Sequence, residues 1–339
     1  MNFKIYQENI YMKPDISVII PAYNTEVYIA KAVESVLFQT WNNFELIVVD
    51  DASTDCTVDV IKSFTDQRIK LFVNSKNTGA SGARNRALQV AQGKWIAVLD
   101  ADDWYAPERL EKLWQVATSE NADIVADDLY LVQDGQDFPW STAIRESGEI
   151  INNLKIIDPV YFVKTDVYGK KGLRLGLSKP MFRRDFLIKN HIKYDENLLV
   201  GEDFWLDMQC LVMGAKFVLV PQPYYYYRCR QGSLVSSNQK KTLELYCKKV
   251  QEFIKEQNLV YQNPQLVQAL SHNLAVLQKN LAYHRVVEPI KKKLWLSALH
   301  EIFNYPYFFI HLSMKIPGII KRRVKYYILQ DKSAFRIYN

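Results

Sequence analysis

Residues 95–103 of this 339-residue chain read WIAVLDADD. Trp95–Leu99 is an apolar run of the length and composition of a buried strand, and the carboxylates of Asp100, Asp102 and Asp103 follow it at once. Acids crowded at the end of a buried strand repel one another, and a divalent cation with oxygen ligands relieves that repulsion well. The stretch therefore predicts a strand that ends in a metal site.

Three further apolar, β-rich runs precede this stretch: Ile16–Ile20, Glu45–Val49 and Ile69–Val73. Between the runs, the spacing of apolar residues predicts helices over about 26–39, with Asn24 or Thr25 as N-cap, over 54–64 and over 83–92. Strands that alternate with helices in this way predict an α/β fold, a doubly wound and mostly parallel sheet flanked by helices. Ligands of such sheets bind at the carboxyl ends of the strands.

Polar residues follow each of these strand ends. Pro21, Tyr23 and Asn24 come after the first strand, and Asp50 and Asp51 come after the second. An aromatic ring for a base, an acid for base or ribose and a cation for phosphates together suit a nucleotide. The chain has neither a Gly-x-Gly-x-x-Gly nor a Gly-x-x-x-x-Gly-Lys-Ser/Thr motif, which argues against dinucleotide dehydrogenases and P-loop enzymes.

Taken together, the runs ISVIIPAYN, LIVVDDASTD, NTGASGARNRAL and WIAVLDADD resemble the nucleotide-binding half of family 2 glycosyltransferases with the GT-A fold. The resemblance extends over about residues 15–135. A second block at 200–228, VGEDFWLDMQCLVMGAKFVLVPQPYYYYR, resembles the acceptor half of that family. The implied activity is inverting, metal-dependent transfer of a sugar from a nucleoside diphosphate sugar, with a UDP-sugar favoured, to a hydroxyl of a glycan or lipid-linked acceptor.

The resemblance assigns a role to each matching residue. Asp51 would accept a hydrogen bond from the base, Asp100 would contact the ribose or the donor sugar, and Asp102 would be the principal ligand of Mg²⁺ or Mn²⁺. Asp103 extends the motif, or only caps a helix that begins near Pro107. The remaining residues implied in donor binding are Pro21, Tyr23, Asn24, Asp50, Arg84 and Ala101.

A general base is also needed, to take the proton of the acceptor hydroxyl. Glu202 and Asp203 open a helical pattern that runs to Met213, and they resemble the Glu-Asp pair of the family, whose Asp is the usual base. Asp203 is accordingly the predicted catalytic residue, and Glu202 is a secondary candidate. Arg230 follows the tyrosine run Tyr224–Tyr227, for which we predict an edge strand, and is a further candidate for contact with the diphosphate.

Each assignment also has an ordinary structural alternative. The acids at 50–55 and 100–103 could be turn and cap residues, and Glu202 with Asp203 could be common first-turn acids. The stretch KPMFRR at 179–184 could shape the acceptor cleft, although a helix start with a solvated face is the favoured interpretation. The histidines lack ligand spacing such as His-Glu-x-x-His and receive no role.

Charge divides the chain unevenly. Residues 240–339 carry 17 basic against 6 acidic side chains, a net charge of +11, whereas residues 1–239 carry 26 against 31, or −5. We predict an N-terminal extension at 1–14, a nucleotide-sugar-binding half at 15–135, an acceptor-binding half at 136–238 and a basic helical region at 239–339. Helices are expected over 239–257, 263–285 and 289–303, with breaks at Pro264 and Pro289.

The C-terminal segments 305–310 and 316–328 interleave aromatic and aliphatic residues with Lys321, Arg322, Arg323 and Lys325, as an interfacial helix on an anionic membrane does. A cap on the catalytic domain or a dimer contact would have the same composition. Four well-separated cysteines, and no apolar run long enough for a signal or a spanning helix, predict a cytoplasmic protein that can touch the membrane face.

Three other classes of protein were weighed. A nucleotidyltransferase shares a nucleotide-binding sheet, but it needs a glycine-rich basic loop after the first strand, and Pro21–Asn24 is not one. A non-catalytic sugar-nucleotide or glycan-binding scaffold is disfavoured, because the sequence retains all the acids of the motifs, Asp203 included. Nucleic acid is not an expected partner, because no nucleic-acid-binding motif accompanies the basic charge.

Overall fold

The computed structural model describes residues 13–198, 200–230, 239–257 and 263–304, together with 308–309, 312–313, 316–318 and 320. The predicted extension at 1–14 and the basic aromatic segment at 316–328 lie almost wholly outside the described residues. The strands are β1 (Ile16–Ala22), β2 (Phe44–Asp50), β3 (Ile69–Val73), β4 (Trp95–Val98), β5 (Trp104–Tyr105), β6 (Ile124–Gln133), β7 (Pro139–Thr142), β8 (Lys155–Ile157), β9 (Met181–Arg183) and β10 (Phe217–Cys229).

Side chains cap the N-termini of three of the described helices, through Thr142, Asp158 and Asn263. They are α1 (Ile29–Leu37), α2 (Thr57–Lys62), α3 (Gly79–Val90), α4 (Arg109–Ser119), α5 (Ala143–Ser147), α6 (Pro159–Thr165), α7 (Arg184–Lys189), α8 (Glu202–Val212), α9 (Gln239–Glu256), α10 (Pro264–Lys291) and α11 (Trp295–Asn304).

The described strands form one sheet in the order β3-β2-β1-β4-β9-β6-β10-β5, with β7 on β6 and β8 on β10. The first four strands of that order are mutually parallel, as the sequence predicted. All seven residues of β2 are buried, because a parallel strand with helices on both faces has no side exposed to water. The α/β sheet flanked by helices is confirmed.

Strand β9 was not predicted, and it decides the geometry of the site. It lies antiparallel between β4 and β6, with Met181 opposite both Ala97 and Val125. Its start therefore meets the carboxyl end of β4. Residues 181–183 form a strand here, so the expectation of a solvated helix start at 179–184 was wrong; the helix α7 begins only at Arg184.

Tyrosines 224–227 belong to β10, which pairs with β6 in parallel and with β5 in antiparallel orientation. The predicted edge position of these tyrosines was therefore wrong. Inside the sheet, Tyr225 is fully buried. Its ring lies edge-on to that of Tyr105, at a centroid distance of 5.6 Å.

One apolar core unites the parallel strands with α1 and α4. Val18, Leu46 and Ala97 from the strands pack with Val33 and Leu113 from the helices, and all five are fully buried. Each buried side chain of the size of Leu or Val contributes about 1.5–3 kcal/mol relative to exposure. This core fixes the strand ends on which the polar loops are mounted.

The described chain forms two compact units. The first comprises residues up to Ile157 together with Gly176–Asn197 and Gly201–Cys229, so both predicted halves contribute to it. The second contains the C-terminal helices and also Asp158–Leu175, which the sequence placed in the acceptor half. The Asn273 amide donates to the carbonyl of Asp166 at 3.3 Å, which ties α10 to that segment.

The C-terminal helices differ from the prediction at one point. Helix α10 continues through Pro289 to Lys291, so the expected break at Pro289 was wrong. Proline there removes a single hydrogen bond in the final turn of a 28-residue helix, which costs less than an interruption in the helix interior. Among the residues that the structure describes, no helix combines the length and apolar character required to cross a bilayer.

Candidate active site

The loops after β1 and β2 are fastened to each other. The Asn24 side chain accepts hydrogen bonds from the backbone N–H of Thr54 at 2.8 Å, and the Asn24 N–H donates to Ser53 Oγ at 3.0 Å. Asn24 has a positive φ of 51°, a conformation that Asn tolerates better than most residues. Asn24 is therefore a loop-shaping residue and not the N-cap, because α1 begins at Ile29 after Tyr28.

Asp51 organises the start of α3. Its carboxylate accepts from the N–H of Gly79 at 2.7 Å and from the N–H and hydroxyl of Thr78 at 2.9 and 2.8 Å. These donors include N–H groups of the first turn, which a helix leaves without internal partners. Asp50 is fully buried and accepts from the N–H of Ser53, which is the turn role weighed above.

Two cations and three acids form a compact cluster that we call the charge cluster: Arg84, Lys179, Asp100, Glu202 and Asp203. The Arg84 guanidinium contacts Asp100 at 2.6 Å, Glu202 at 2.8 Å and Asp203 at 3.6 Å. The Lys179 ammonium contacts Asp203 at 2.6 Å and Asp100 at 3.0 Å. Helix α3, the end of β4, the segment before β9 and the first turn of α8 thus meet at one point.

Burial strengthens every interaction in the charge cluster. Arg84 and Lys179 are only 3% and 5% exposed. Burial alone would lower the pKa of Lys179, yet Asp100 and Asp203 raise it well above its usual range. Burial would raise the pKa of Asp100, but Lys179 and Arg84 hold it well below its usual range. The first acid of the Asp100–Asp103 stretch is therefore ionised and paired with protein cations.

Glu202 behaves differently from its neighbours. Burial, together with the charge of Asp203, raises the pKa of Glu202, and the contact with Arg84 opposes that rise. Gly201 precedes it with a φ of 79°, a left-handed conformation that glycine adopts without strain. That turn carries Glu202 and Asp203 into the first turn of α8, and the helix begins where the sequence predicted it.

Lys179 is the site residue that sequence reasoning misjudged. It stands two residues before β9, and the antiparallel pairing of β9 with β4 brings it to Asp100. Its carbonyl accepts from the buried Arg109 at 2.6 Å, which fixes the backbone as well as the side chain. A lysine between Ser178 and Pro180, just before an apolar pair, is the only local signal.

Asp103 does not cap a helix, so that expectation was wrong. Its carboxylate accepts from the hydroxyl of Tyr225 at 2.7 Å and from the N–H of Arg228 at 2.7 Å, while α4 begins later, at Arg109. Burial, with the charges of Asp102 and Asp100, raises the pKa of Asp103 well above its usual range. The acid is a buried link between the β4 loop and β10.

These contacts revise the electrostatic argument for a metal. Protein groups, and not a cation from solution, offset the charge of Asp100, and among the described residues no three His, Cys, Asp or Glu side chains are arranged around a common metal position. A magnesium ion that arrives with a nucleotide needs only one or two carboxylates besides phosphate oxygens. Half-buried Asp102 would supply one, so these residues fit a metal that arrives with the nucleotide.

The other predicted residues occupy varied positions. Tyr23 is 48% exposed beyond β1, whereas Pro21 is half-buried inside that strand, past its last pairing with β4. The Ala101 side chain is buried in the core, which leaves only its backbone for a contact with a donor. Arg230 is exposed directly after β10. Arg228, inside β10, donates to the carbonyl of Asp102 at 2.8 Å.

Comparison with known proteins identifies the family. Residues 17–184 match the family described as Glycosyl transferase family 2. The chain is 30% identical to the succinoglycan biosynthesis protein ExoO of Rhizobium meliloti (strain 1021), over 91% of this chain and 87% of that protein. The chain belongs to glycosyltransferase family 2.

Further proteins match the chain as well. The succinoglycan biosynthesis protein ExoU of the same strain is 32% identical over 68% of this chain and 66% of its own length. Among solved structures, Staphylococcus aureus TarS 1–349 in complex with UDP-GlcNAc superposes with a TM-score of 0.57 at 20% identity, over 86% of this chain and 89% of that one.

A second solved structure has the same fold. The mannosyltransferase PcManGT of Pyrobaculum calidifontis, in complex with GDP-Man and Mn²⁺, superposes with a TM-score of 0.52 at 16% identity, over 91% of this chain and 81% of that one. At these identities the likeness concerns the fold alone. The predicted GT-A fold and the predicted glycosyltransferase class are both confirmed.

Proposed function

We propose that this family 2 glycosyltransferase moves a sugar from a nucleoside diphosphate sugar to an acceptor hydroxyl, with inversion at the anomeric carbon and with Asp203 as general base. The observation that carries the proposal is the meeting of Asp100 and Asp203, which come from opposite halves of the sequence, on the shared cation Lys179. A donor-side acid and an acceptor-side base must be neighbours if one displacement is to join their substrates.

The donor would lie along the strand ends. Tyr23 offers an exposed ring for the base. Asp51 already accepts hydrogen bonds from Thr78 and Gly79, and we assign it a further one from the base, as the family pattern implies. Asp102 would hold a Mg²⁺ or Mn²⁺ ion, which when bound supplies Lewis-acid stabilisation of the departing nucleoside diphosphate. PcManGT was solved with GDP-Man and Mn²⁺, and TarS with UDP-GlcNAc, which supports a nucleotide sugar as donor.

The reaction of the chain's own residues is then a proton transfer. Asp203 takes the proton of the acceptor hydroxyl as its oxygen attacks the anomeric carbon opposite the leaving group. Arg84 and Lys179 hold this carboxylate in place, since each faces one of its oxygens, at 3.6 and 2.6 Å. Attack from the opposite side in a single step produces inversion.

The acceptor follows from the relatives more than from the geometry. ExoO and ExoU bear names in succinoglycan biosynthesis, so we infer that this chain also extends a bacterial-type polysaccharide on a glycan or lipid-linked acceptor. A nucleotidyltransferase is not favoured, given the family. A scaffold without catalysis would bind the same donor, and it differs from a transferase only in turnover.

Replacing Asp102 with Ala is expected to weaken UDP or GDP binding about tenfold or more in the presence of Mn²⁺, and to leave the affinity in EDTA unchanged. The physical reason is that the carboxylate would act on the nucleotide only through the cation. Isothermal titration calorimetry of wild type and variant measures both conditions. Asp185→Ala removes an exposed acid from α7 and is the matched control. Equal loss of affinity with and without metal would contradict the assignment.

We also propose that α11 docks on an anionic membrane. Its exposed side chains are unusually apolar, since Leu296, Phe303 and Trp295 are 85%, 82% and 61% exposed. The exposed lysines 291–293 stand directly before the helix. An apolar helix face next to basic residues suits a bilayer that bears acidic headgroups, where each nearby lysine adds on the order of 1 kcal/mol.

The variant Leu296→Asp/Phe303→Asp is expected to lose at least about tenfold in partitioning onto vesicles of phosphatidylcholine with phosphatidylglycerol, because two charges would enter the interface. Vesicle flotation of the full chain measures the effect, and vesicles of phosphatidylcholine alone should bind weakly. Phe138→Asp, at a residue 84% exposed in the first unit, is the control for a change in non-specific adsorption to vesicles. If the double variant partitions onto these vesicles as well as wild type does, whatever its oligomeric state, α11 is not the docking surface.

A further inference from the structure

Lys179 is buried in a region that must accommodate a nucleotide sugar and an acceptor. It neither gives nor takes a proton in the transfer described above. A lysine that is 5% exposed carries a large desolvation cost unless acids face it directly. Here two acids do so, Asp203 at 2.6 Å and Asp100 at 3.0 Å. One Nζ atom thus bridges a residue of the donor half and a residue of the acceptor half.

We propose that Lys179 is the positioning residue of this active site: it sets the spacing of the donor-side acid Asp100 and the base Asp203. The inference rests on the proposed function, because it takes Asp203 to be the base. Lys179 does not itself touch a reacting atom in this account.

The fold holds Lys179 from both sides. Its carbonyl accepts from Arg109 at 2.6 Å, and Arg109 is itself fixed by Asp127 at 2.7 Å. Two residues later the chain enters β9, which hydrogen-bonds to β4 on one side and β6 on the other. The anchored backbone places the Lys179 ammonium between Asp100 and Asp203.

Arg84 does not duplicate this role. Its nearest approach to Asp203 is 3.6 Å, beyond hydrogen-bond length, and its two short contacts go to Asp100 and Glu202. Lys179 is accordingly the short partner of Asp203 among the described residues. The charged and titratable groups that face Asp203 are Lys179 from the segment before β9, Arg84 from α3, Glu202 from α8, Asp100 from the end of β4 and Tyr194 from the segment before α8.

The test compares Lys179→Met, Lys179→Arg and wild type by kcat, by KM and by UDP affinity. We expect Lys179→Met to lose about 10²-fold in kcat through a misplaced base, and to bind UDP within a few-fold of wild type. Lys179→Arg should recover part of the lost kcat, because it keeps a cation that can donate to both acids. Lys70→Met is the matched control, since it removes a 2.7 Å pair with Glu45 near the start of β2.

Two results would overturn the proposal. A loss that lies wholly in UDP affinity makes Lys179 a donor ligand and not a positioning residue. A kcat within twofold of wild type removes it from the mechanism. Lys179→Gln replaces Lys179→Met in these comparisons if the latter does not fold.

A second measurement does not depend on turnover. In thermal unfolding, the shift in Tm of Lys179→Met/Asp203→Asn should be clearly smaller than the sum of the two single shifts, because the paired groups are removed together. Additive shifts would show that the pair does not interact in solution and would overturn the proposal. If wild type shows no sugar transfer but the shifts are non-additive, the proposed function fails while the Lys179–Asp203 contact stands.

Discussion

Asp203→Asn is expected to lower kcat by about 10²–10⁴, the range for loss of a general base, while nucleotide affinity stays within a few-fold of wild type. Asparagine keeps the size of the side chain and an oxygen for the Lys179 ammonium, which lies at 2.6 Å, so the cluster should survive the change. It cannot, however, take a proton at neutral pH. Steady-state kinetics with the preferred donor, together with calorimetry of the nucleoside diphosphate, separates the two quantities.

Glu202→Gln is the comparison for this variant. Glu202 is the adjacent acid in the same turn of α8, and its short contact is with Arg84 at 2.8 Å. We expect it to cost about tenfold, as the loss of one charge-assisted contact. A fully active Asp203→Asn protein, or a larger loss in Glu202→Gln, would show that the assignment of the base is wrong.

Arg109→Met is expected to lower the free energy of unfolding by about 3–5 kcal/mol, because it leaves the buried Asp127 without its partner. Arg109 is fully buried, contacts Asp127 at 2.7 Å and lies 4.2 and 5.0 Å from the ring centroids of Tyr105 and Tyr225. It also donates to the carbonyl of Lys179, so activity should fall with stability. Chemical denaturation followed by circular dichroism measures the change.

Two variants bracket this result. Arg109→Met/Asp127→Asn removes both charges and should recover part of the lost stability, since no carboxylate is then buried unpaired. Arg68→Met breaks a half-exposed pair with Asp66 and should cost no more than about 1 kcal/mol. If Arg109→Met costs no more than Arg68→Met, the buried pair does not stabilise the fold.

The sequence predicted the parallel half of the sheet well, and the reason is local. Strands β1 to β4 are short apolar runs, each followed by polar residues, and both features are visible within ten residues of chain. The start of α8 was also predicted correctly, because Gly201 and the two acids after it are typical of a helix N-terminus. Where neighbours in sequence decide the structure, the predictions held.

The charge cluster could not be read in the same way. Lys179 reaches Asp100 only because β9, a strand of three residues, inserts between β4 and β6, and no periodicity exists in three residues. Asp103 and its partner Tyr225 are 122 positions apart. From the sequence, Asp103 was a candidate metal-motif residue or helix cap, because it stands beside two other acids. In the structure it is a buried carboxylate that accepts hydrogen bonds from β10.

The same lesson applies to the predicted metal. Repulsion among Asp100, Asp102 and Asp103 was a sound reason to expect a compensating charge, but the sequence could not show that Arg84 and Lys179 supply it for Asp100. Asp102 stays the proposed ligand of a cation that would arrive with the nucleotide. Its role, like those of Tyr23, Asn24 and Arg230 toward a donor, stays a prediction.

Turnover of a nucleotide sugar tests the central claim most directly. The purified full chain, with Mn²⁺, would be incubated with UDP-, GDP-, dTDP- and CDP-sugars, and the released nucleoside diphosphate would be measured over time. We predict slow release from one donor class, by transfer of the sugar to water, that stops in EDTA and falls by about 10² or more in Asp203→Asn. Folded protein that binds a nucleotide and releases nothing from any of these donors would contradict the account and would identify the chain as a binding scaffold.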